Sequence, residues 1–156
     1  LVEPSIDPQY PAVIDFASAW DPRYLHVTGY RWGAGRVKVV LGKDLPEIIP
    51  PLMGGLIRDL LGKHELTLED IGSWAIHNGG VSVLDKLAQQ LGVDGRQVFR
   101  HSWDVLRDVG NCSSATVGMV AKRAHADPTN GRGYLVAASA GAGCEVSAAL
   151  LKYGGA

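Results

Sequence analysis

The chain has 156 residues and an apolar fraction of 46%, enough for one domain with a single core. Its 15 basic residues balance 16 acidic ones, which argues against a nucleic-acid partner, because phosphate binding needs a basic face. No apolar stretch approaches the roughly 20 residues of a membrane span, and the first eleven residues lack the features of a signal peptide. With two cysteines, a disulfide framework or zinc site is not expected, and the predicted location is cytoplasmic.

The first third of the chain carries strand signals followed by a long helix. Alternating and β-branched runs predict three strands, at about 11–18, 23–32 and 36–41. Asp44 as N-cap and Pro46 in the first turn indicate a helix start, and apolar residues at helical spacing continue to Leu61. Pro50 and Pro51 lie inside this helix and are expected to kink or restart it.

The remaining residues alternate between helices and strands. The segment IGSWAIH has the apolar composition of a buried strand. Helices are predicted at 81–91, at about 102–108 with Ser102 as N-cap, and at about 113–126. YLVAASAG and CEVSAALLKY then form two strands, expected to be antiparallel neighbours. The order predicts a layered α/β fold in which helices cover a mixed sheet.

His77 stands at the end of the predicted strand IGSWAIH. A histidine in this position is more often structural than catalytic. Gly79 and Gly80 follow, however, and they remove side chains from the turn between strand and helix, so that a ligand can approach the backbone. The carboxyl ends of α/β strands are also where ligands tend to bind.

Asn111 lies between Gly110 and the serines that precede the last predicted helix. It can be a simple turn residue, which is a common use of Asn. The helix N-terminus nearby supplies N–H groups and a positive dipole, so the Asn amide is also a plausible donor to a developing oxyanion.

Taken together, "WAIHNGG" and, at this spacing, "VLRDVGNCSSATV" resemble the C-terminal half of the type III polyketide synthases, the chalcone-synthase-like enzymes. The usual forms in that family are His-Pro-Gly-Gly and Gly-Asn-Met-Ser-Ser-Ala. The terminal "AASAGAGCEVSAALL" resembles the family's Gly-Pro-Gly loop and closing strand, and "VVLGKDLPEII" resembles the segment before the long helix. The resemblance covers about residues 11 to 153.

This resemblance implies a thiolase fold with two similar αβαβα halves, of which residues 1–156 would be the C-terminal one. It assigns His77 and Asn111 to catalysis, with a nucleophilic Cys supplied by an N-terminal half that is not in this sequence. Gly79, Gly80 and the loop Gly141-Ala142-Gly143 would border the substrate. The expected partners are that N-terminal half, a second copy of the complete fold in a homodimer, and acyl-CoA and malonyl-CoA as substrates, with no cofactor.

Several residues depart from the family pattern. Asn78 stands at the usual Pro, which is expected to loosen the turn after His77. Ala142 replaces the Pro of the Gly-Pro-Gly loop and is expected to alter the product cavity. Val39 falls where plant members carry a gatekeeper Phe, which suggests altered substrate access; alternatively, Val39 simply belongs to a buried strand.

Neither cysteine is the expected nucleophile. Cys112 lies beside Asn111 at a predicted helix start, where a thiol pKa can be depressed, but the resemblance makes it a packing position. Cys144 is expected to be a small buried apolar residue. The other histidines have no metal-ligand spacing with one another or with carboxylates, so no metal is expected.

The predicted function is that of the C-terminal half of an acyltransferase that condenses an acyl-CoA starter with malonyl-CoA by decarboxylative Claisen condensation. The chain by itself is expected to be inactive. One alternative is a condensing enzyme like ketoacyl synthase III, whose His is normally followed by Gln-Ala-Asn rather than by Asn-Gly-Gly. Another is a non-catalytic partner subunit of a thiolase-fold dimer.

Overall fold

A computed structural model of the protein describes residues 10–130 and 133–154. The predicted absence of a signal peptide concerns a segment that lies almost wholly outside these residues. The strands are β1 (Pro11–Ala19), β2 (Thr28–Gly33), β3 (Arg36–Leu41), β4 (Ile71–Ile76), β5 (Tyr134–Ala140) and β6 (Val146–Tyr153). The helices are α1 (Leu45–Gly62), α2 (Val81–Leu91), α3 (Gly95–Val98), α4 (Arg100–Val109) and α5 (Ala115–Ala126).

The main sheet has four strands in the order β1-β6-β5-β4. β4 and β5 are parallel, whereas β5 with β6 and β6 with β1 are antiparallel, so the predicted mixed sheet is confirmed. The two closing strands are antiparallel neighbours, as their patterns predicted. β2 and β3 form a separate antiparallel hairpin.

Helices cover both faces of the main sheet. Trp74 and Ile76 of β4 join the core cluster that contains the apolar sides of α1 and α2. The intervening Ala75 belongs to a second cluster, with Val105 of α4 and Val120 of α5. Because successive side chains of a strand point to opposite faces, β4 is buried on both sides, which explains its nearly continuous apolar sequence.

The predicted boundaries hold where periodicity is strong. β3 and α2 match their predicted ranges, α1 begins just after Asp44, and Gly92 ends α2 with a left-handed φ of 73°. α1 continues through Pro50 and Pro51 as one helix of 18 residues, so the expected restart does not occur.

Two boundaries were predicted wrongly. The first half of 23–32 is not a strand, because Asp21 accepts a hydrogen bond from the Arg23 backbone N–H and caps a 3-10 turn at Pro22–Tyr24. Ser102 is not an N-cap. It lies within α4, fully buried, and its hydroxyl donates to the Ile76 carbonyl at 2.7 Å.

The outer surface of β1 and of the hairpin is apolar. Phe16 of β1 and Trp32 of β2 are each 73% exposed. Other large apolar side chains exposed on these strands are Val13, Ile14, Tyr30, Val37, Val39 and Leu41. So many large apolar side chains exposed on neighbouring residues of the same strands are typical of surfaces that pack against other protein. No helix in the described ranges is long and apolar enough to cross a bilayer.

Gly95 of α3 packs closely against Ala88 of α2. A Cβ added at Gly95 would lie 2.5 Å from Ala88 Cβ, so we expect Gly95→Ala to lower the free energy of unfolding by about 1–3 kcal/mol through overpacking. The matched control is Gly118→Ala in α5, where a Cβ would meet nothing within 4 Å and should stabilise the helix by about 0.5–1 kcal/mol. Urea denaturation measures both. Equal effects of the two variants would contradict this packing.

Candidate active site

His77 extends β4 by one residue at the carboxyl edge of the sheet. Its backbone N–H donates to the Ala138 carbonyl of β5 at 2.8 Å, which continues the parallel pairing. The residue is only 9% exposed, and this burial lowers the pKa of the imidazole below its usual value of 6.5. Nδ1 is buried and has no hydrogen-bond partner among the described residues. The ring is therefore neutral at pH 7 and free to accept or share a proton.

The two glycines after His77 turn the chain from β4 into α2. The Gly79 backbone N–H donates to the His77 carbonyl at 3.0 Å, and Gly80 has φ 149°, a conformation that residues with a Cβ rarely adopt. The turn exposes backbone rather than side chains beside the imidazole, as the sequence predicted.

Asn111 is held by a local hydrogen bond in the loop before α5. Its Oδ1 accepts from the Ser113 backbone N–H at 2.8 Å, and the Cys112 N–H donates to the Thr116 hydroxyl at 2.9 Å. Because Oδ1 is used inside the loop, the Nδ2 donor group is the end without a partner in the described part of the chain. Asn111 itself is exposed.

A cavity of about 700 Å³ brings these loops together. Neither Asn78 nor Gly143 is part of its lining. Six other residues singled out from the sequence do line it: His77, Gly79, Gly80, Asn111, Gly141 and Ala142. Val39 of β3 lines it as well. The strand ends, the hairpin and the loop before α5 thus converge on one space, although they are far apart in sequence.

Of the predicted substrate-side residues, Val39 lines the cavity and Gly143 does not. Val39 is 65% exposed, so the alternative that it belongs to a buried strand is wrong. Gly143 does not line the cavity. It occupies a left-handed φ of 75° with Leu25 close by, since an added Cβ would lie 3.2 Å from Leu25 Cδ2.

Several lining residues were missed by the sequence analysis. Met53 from α1, Tyr30 from β2 and Ser82 from α2 contribute to the walls. Among the described residues of the lining, Lys43 is the one that carries a permanent charge. No local sequence pattern marks the missed residues, because their place in the cavity wall depends on how the hairpin and helices pack.

The cysteines lie outside the cavity lining. Cys112 is exposed, with its thiol 3.6 Å from the Val109 carbonyl, so its expected packing position is wrong in this chain. Cys144 is fully buried, as predicted, and burial raises the pKa of its thiol. Neither thiol lines the cavity that His77 and Asn111 share.

Comparison with known proteins gives the family. Residues 61–153 match the family model of the 3-oxoacyl-[acyl-carrier-protein] synthase III C-terminal domain. The chain is 38% identical over 108 residues to 1,3,6,8-tetrahydroxynaphthalene synthase of Streptomyces peucetius, a match that covers 66% of this chain and 28% of that protein. It is 30% identical over 146 residues to 3,5-dihydroxyphenylacetyl-CoA synthase of Amycolatopsis orientalis, covering 92% of this chain and 39% of that protein.

Solved structures agree. The fold superposes on a type III pentaketide synthase from Neurospora crassa with a TM-score of 0.79 and 25% identity, covering 92% of this chain and 41% of that one. The architecture is therefore thiolase-like, as expected. The chain belongs to the family of condensing-enzyme C-terminal domains that the matched model describes, and within it to the type III polyketide synthases. It spans about a quarter to two fifths of the length of these relatives.

The burial of His77 predicts a specific loss of stability in acid. Because its folded pKa lies below the unfolded value of about 6.5, the unfolded chain takes up the proton first, and stability falls as the pH drops below about 6.5. We expect His77→Gln to lose less stability than the wild type between about pH 7.5 and 5.5. Urea denaturation at each pH is the measurement.

The control for this experiment is His26→Gln, which replaces an exposed histidine. It should retain the wild-type dependence on pH. His101, whose pKa is also lowered mainly by burial, is present in all three proteins and contributes equally. An unchanged pH dependence in His77→Gln would show that the imidazole is not held neutral by its surroundings.

Proposed function

We propose that this chain supplies the histidine and asparagine of a condensing active site, with the nucleophilic cysteine provided by an N-terminal half that precedes or partners it. The complete enzyme loads an acyl group from a CoA thioester onto that cysteine and extends it with malonyl-CoA by decarboxylative Claisen condensation. No cofactor is required for this chemistry. The chain by itself is inactive in this proposal.

The convergence of His77 and Asn111 on one cavity is the observation that carries the proposal. A neutral imidazole and an unpartnered amide donor face a space that also receives a glycine turn and the first turn of α2. Among the residues present, none in this space is a thiol. The arrangement is thus equipped to stabilise negative charge but not to form the covalent intermediate.

His77 would act first on the cysteine. A neutral imidazole can accept the thiol proton, and the resulting ion pair favours the thiolate, which is the nucleophile. The thiolate attacks the carbonyl carbon of the starter thioester, and CoA leaves as its thiolate. The enzyme then holds the acyl group as a thioester.

Asn111 would act on the extender. When malonyl-CoA loses CO2, the electron pair of the broken carbon–carbon bond forms an enolate, whose charge lies on the thioester oxygen. The Nδ2 group of Asn111 and the imidazole of His77 are the donors for that oxygen. The enolate carbon attacks the acyl thioester, a carbon–carbon bond forms, and the cysteine leaves as thiolate.

The lining indicates how substrate access would be controlled. Val39 is a small, exposed side chain on the hairpin edge of the cavity, so it leaves more room than a large aromatic residue would. Gly141 and Ala142, which follow the end of β5, contribute almost no side chain to the cavity. We propose that these three positions border the growing chain.

The exposed apolar side chains of β1 and the hairpin are the observation that supports a protein partner. These aromatic and aliphatic side chains would be buried against the cysteine-bearing half, which also closes the open side of the cavity. The completed fold is proposed to form a homodimer.

A second candidate is a synthase III-like enzyme that extends a carrier-bound chain. The family match over residues 61–153 favours it, because that model is named for 3-oxoacyl-[acyl-carrier-protein] synthase III. The Asn-Gly-Gly that follows His77 favours the polyketide synthase. A non-catalytic subunit is disfavoured, since it would have no use for His77 and Asn111 in the same cavity.

Removal of either donor should slow decarboxylation. In the complete enzyme, we expect His77→Ala and Asn111→Ala each to reduce release of CO2 from malonyl-CoA about 10²–10³-fold, the usual effect of losing one oxyanion donor. The control His26→Ala changes an exposed histidine outside the cavity lining and should stay near the wild-type rate. Wild-type rates in both cavity variants would refute the proposed roles.

The same assay separates the two candidate enzymes. The polyketide synthase should decarboxylate malonyl-CoA directly and condense it with an acyl-CoA. A strict requirement for malonyl-[acyl-carrier protein] would favour the synthase III-like enzyme instead. Absence of decarboxylation with either donor would support a non-catalytic subunit.

A further inference from the structure

Asn78, the residue directly after His77, is completely buried. It was expected to loosen the turn because it replaces the Pro of the related motif. In the structure, its side-chain amide instead reaches two other segments. Nδ2 donates to the Ser102 carbonyl of α4 at 3.4 Å and to the Gly110 carbonyl at 3.5 Å.

Ser102 closes a ring of contacts around His77. Its hydroxyl donates to the carbonyl of Ile76, the residue before His77, and its carbonyl accepts from Asn78, the residue after it. The residues on both sides of His77, Ile76 through its carbonyl and Asn78 through its side chain, are therefore tied to the same residue of α4. This arrangement fixes where the ring projects from the end of β4.

Gly110 connects the same amide to the second catalytic loop. It immediately precedes Asn111, and its own N–H donates to the Leu106 carbonyl at the end of α4. Its φ of 76° lies in the left-handed region, so the chain turns sharply there toward Asn111. The Asn78 side chain thus joins the His77 loop to the Asn111 loop.

A buried amide at this position carries a cost that packing alone does not explain. The two hydrogen bonds are long, and Oδ1 has no partner within the described ranges. A buried polar atom left without a partner is unfavourable, so an apolar side chain would satisfy a purely structural need better. The amide is useful here because it can donate to two carbonyls at once.

We propose that Asn78 is a positioning residue, which holds the His77 loop and the Asn111 loop in the relative arrangement needed to stabilise the enolate. The expected effect of Asn78 on the reaction rate rests on the proposed function. Its expected effect on the Asn111 loop rests on the hydrogen-bond geometry alone. Asn78 touches no reacting atom in this proposal.

The test compares Asn78→Asp and Asn78→Ala with the wild type in the complete enzyme. Asp keeps the shape of the side chain but removes the amide group that makes both donations. Ala is included in case a buried carboxyl group prevents folding. Each should lower kcat for malonyl-CoA decarboxylation about tenfold or more, because misplaced groups lose transition-state stabilisation. KM for malonyl-CoA should stay within about twofold, since substrate binding does not use this amide.

Gly95→Ala is the control for stability. It is expected to destabilise the fold through α2 and α3, and Gly95 does not line the cavity. Under conditions in which every variant is folded, its kcat should match the wild type. Asn78 variants with kcat within about twofold of the wild type, or a loss in Gly95→Ala equal to theirs, would overturn the proposal.

A spectroscopic measurement decides the inference independently of activity. The side-chain amide resonances of Asn111 should shift in both Asn78 variants and remain unchanged in Gly95→Ala. If the wild-type enzyme releases no CO2, the proposed function fails, and these resonances alone judge the coupling. Unchanged Asn111 resonances in the Asn78 variants would overturn the proposed link between the two loops.

Discussion

The hydrogen bond from the His77 backbone N–H to the Ala138 carbonyl, at 2.8 Å, positions the rest of the site. It extends the parallel pairing of β4 and β5 beyond the end of β4. Because parallel strands bring their carboxyl ends to one edge, the glycine turn after His77 and the Gly141 loop after β5 meet there. The hairpin and the loop before α5 complete the cavity around that edge.

The site has one buried catalytic candidate, His77, next to parts that remain exposed. His77 is desolvated enough to be neutral, and its Nδ1 lacks a partner among the described residues, whereas Asn111 and the hairpin remain exposed. In the proposed mechanism, this neutral imidazole takes a proton from a thiol supplied by the partner half. The exposed apolar side chains of β1 and of the hairpin would supply the surface on which such a partner packs.

Much of this arrangement could be predicted from local sequence patterns. β3, α2 and the ends of β4 and β5 follow from periodicity. The motifs around His77 and Asn111 predicted that the two residues share one site, and both line the same cavity. Contacts between distant segments were not predictable in this way. Ser102 looked like a helix cap, yet it is buried against Ile76. Asn78 looked like a loosened turn, yet its amide joins α4 to the Asn111 loop.

Cys112 shows the same limit. The family resemblance suggested a packed side chain, but Cys112 is exposed in the loop before α5. The side chains of Asn111 and Thr116 accept the hydrogen bonds of this loop. Exposure depends on which half of the fold is present, and a pattern within one segment carries no information about that.

The most direct test of the central claim is to identify the cysteine that becomes acylated. The complete protein is incubated with an acyl-CoA starter, digested, and analysed by mass spectrometry for thioester-bound acyl groups. We expect one acylated cysteine, located outside these 156 residues, with Cys112 and Cys144 unmodified. Acylation of Cys112 would contradict the central claim, because the nucleophile would then belong to this chain.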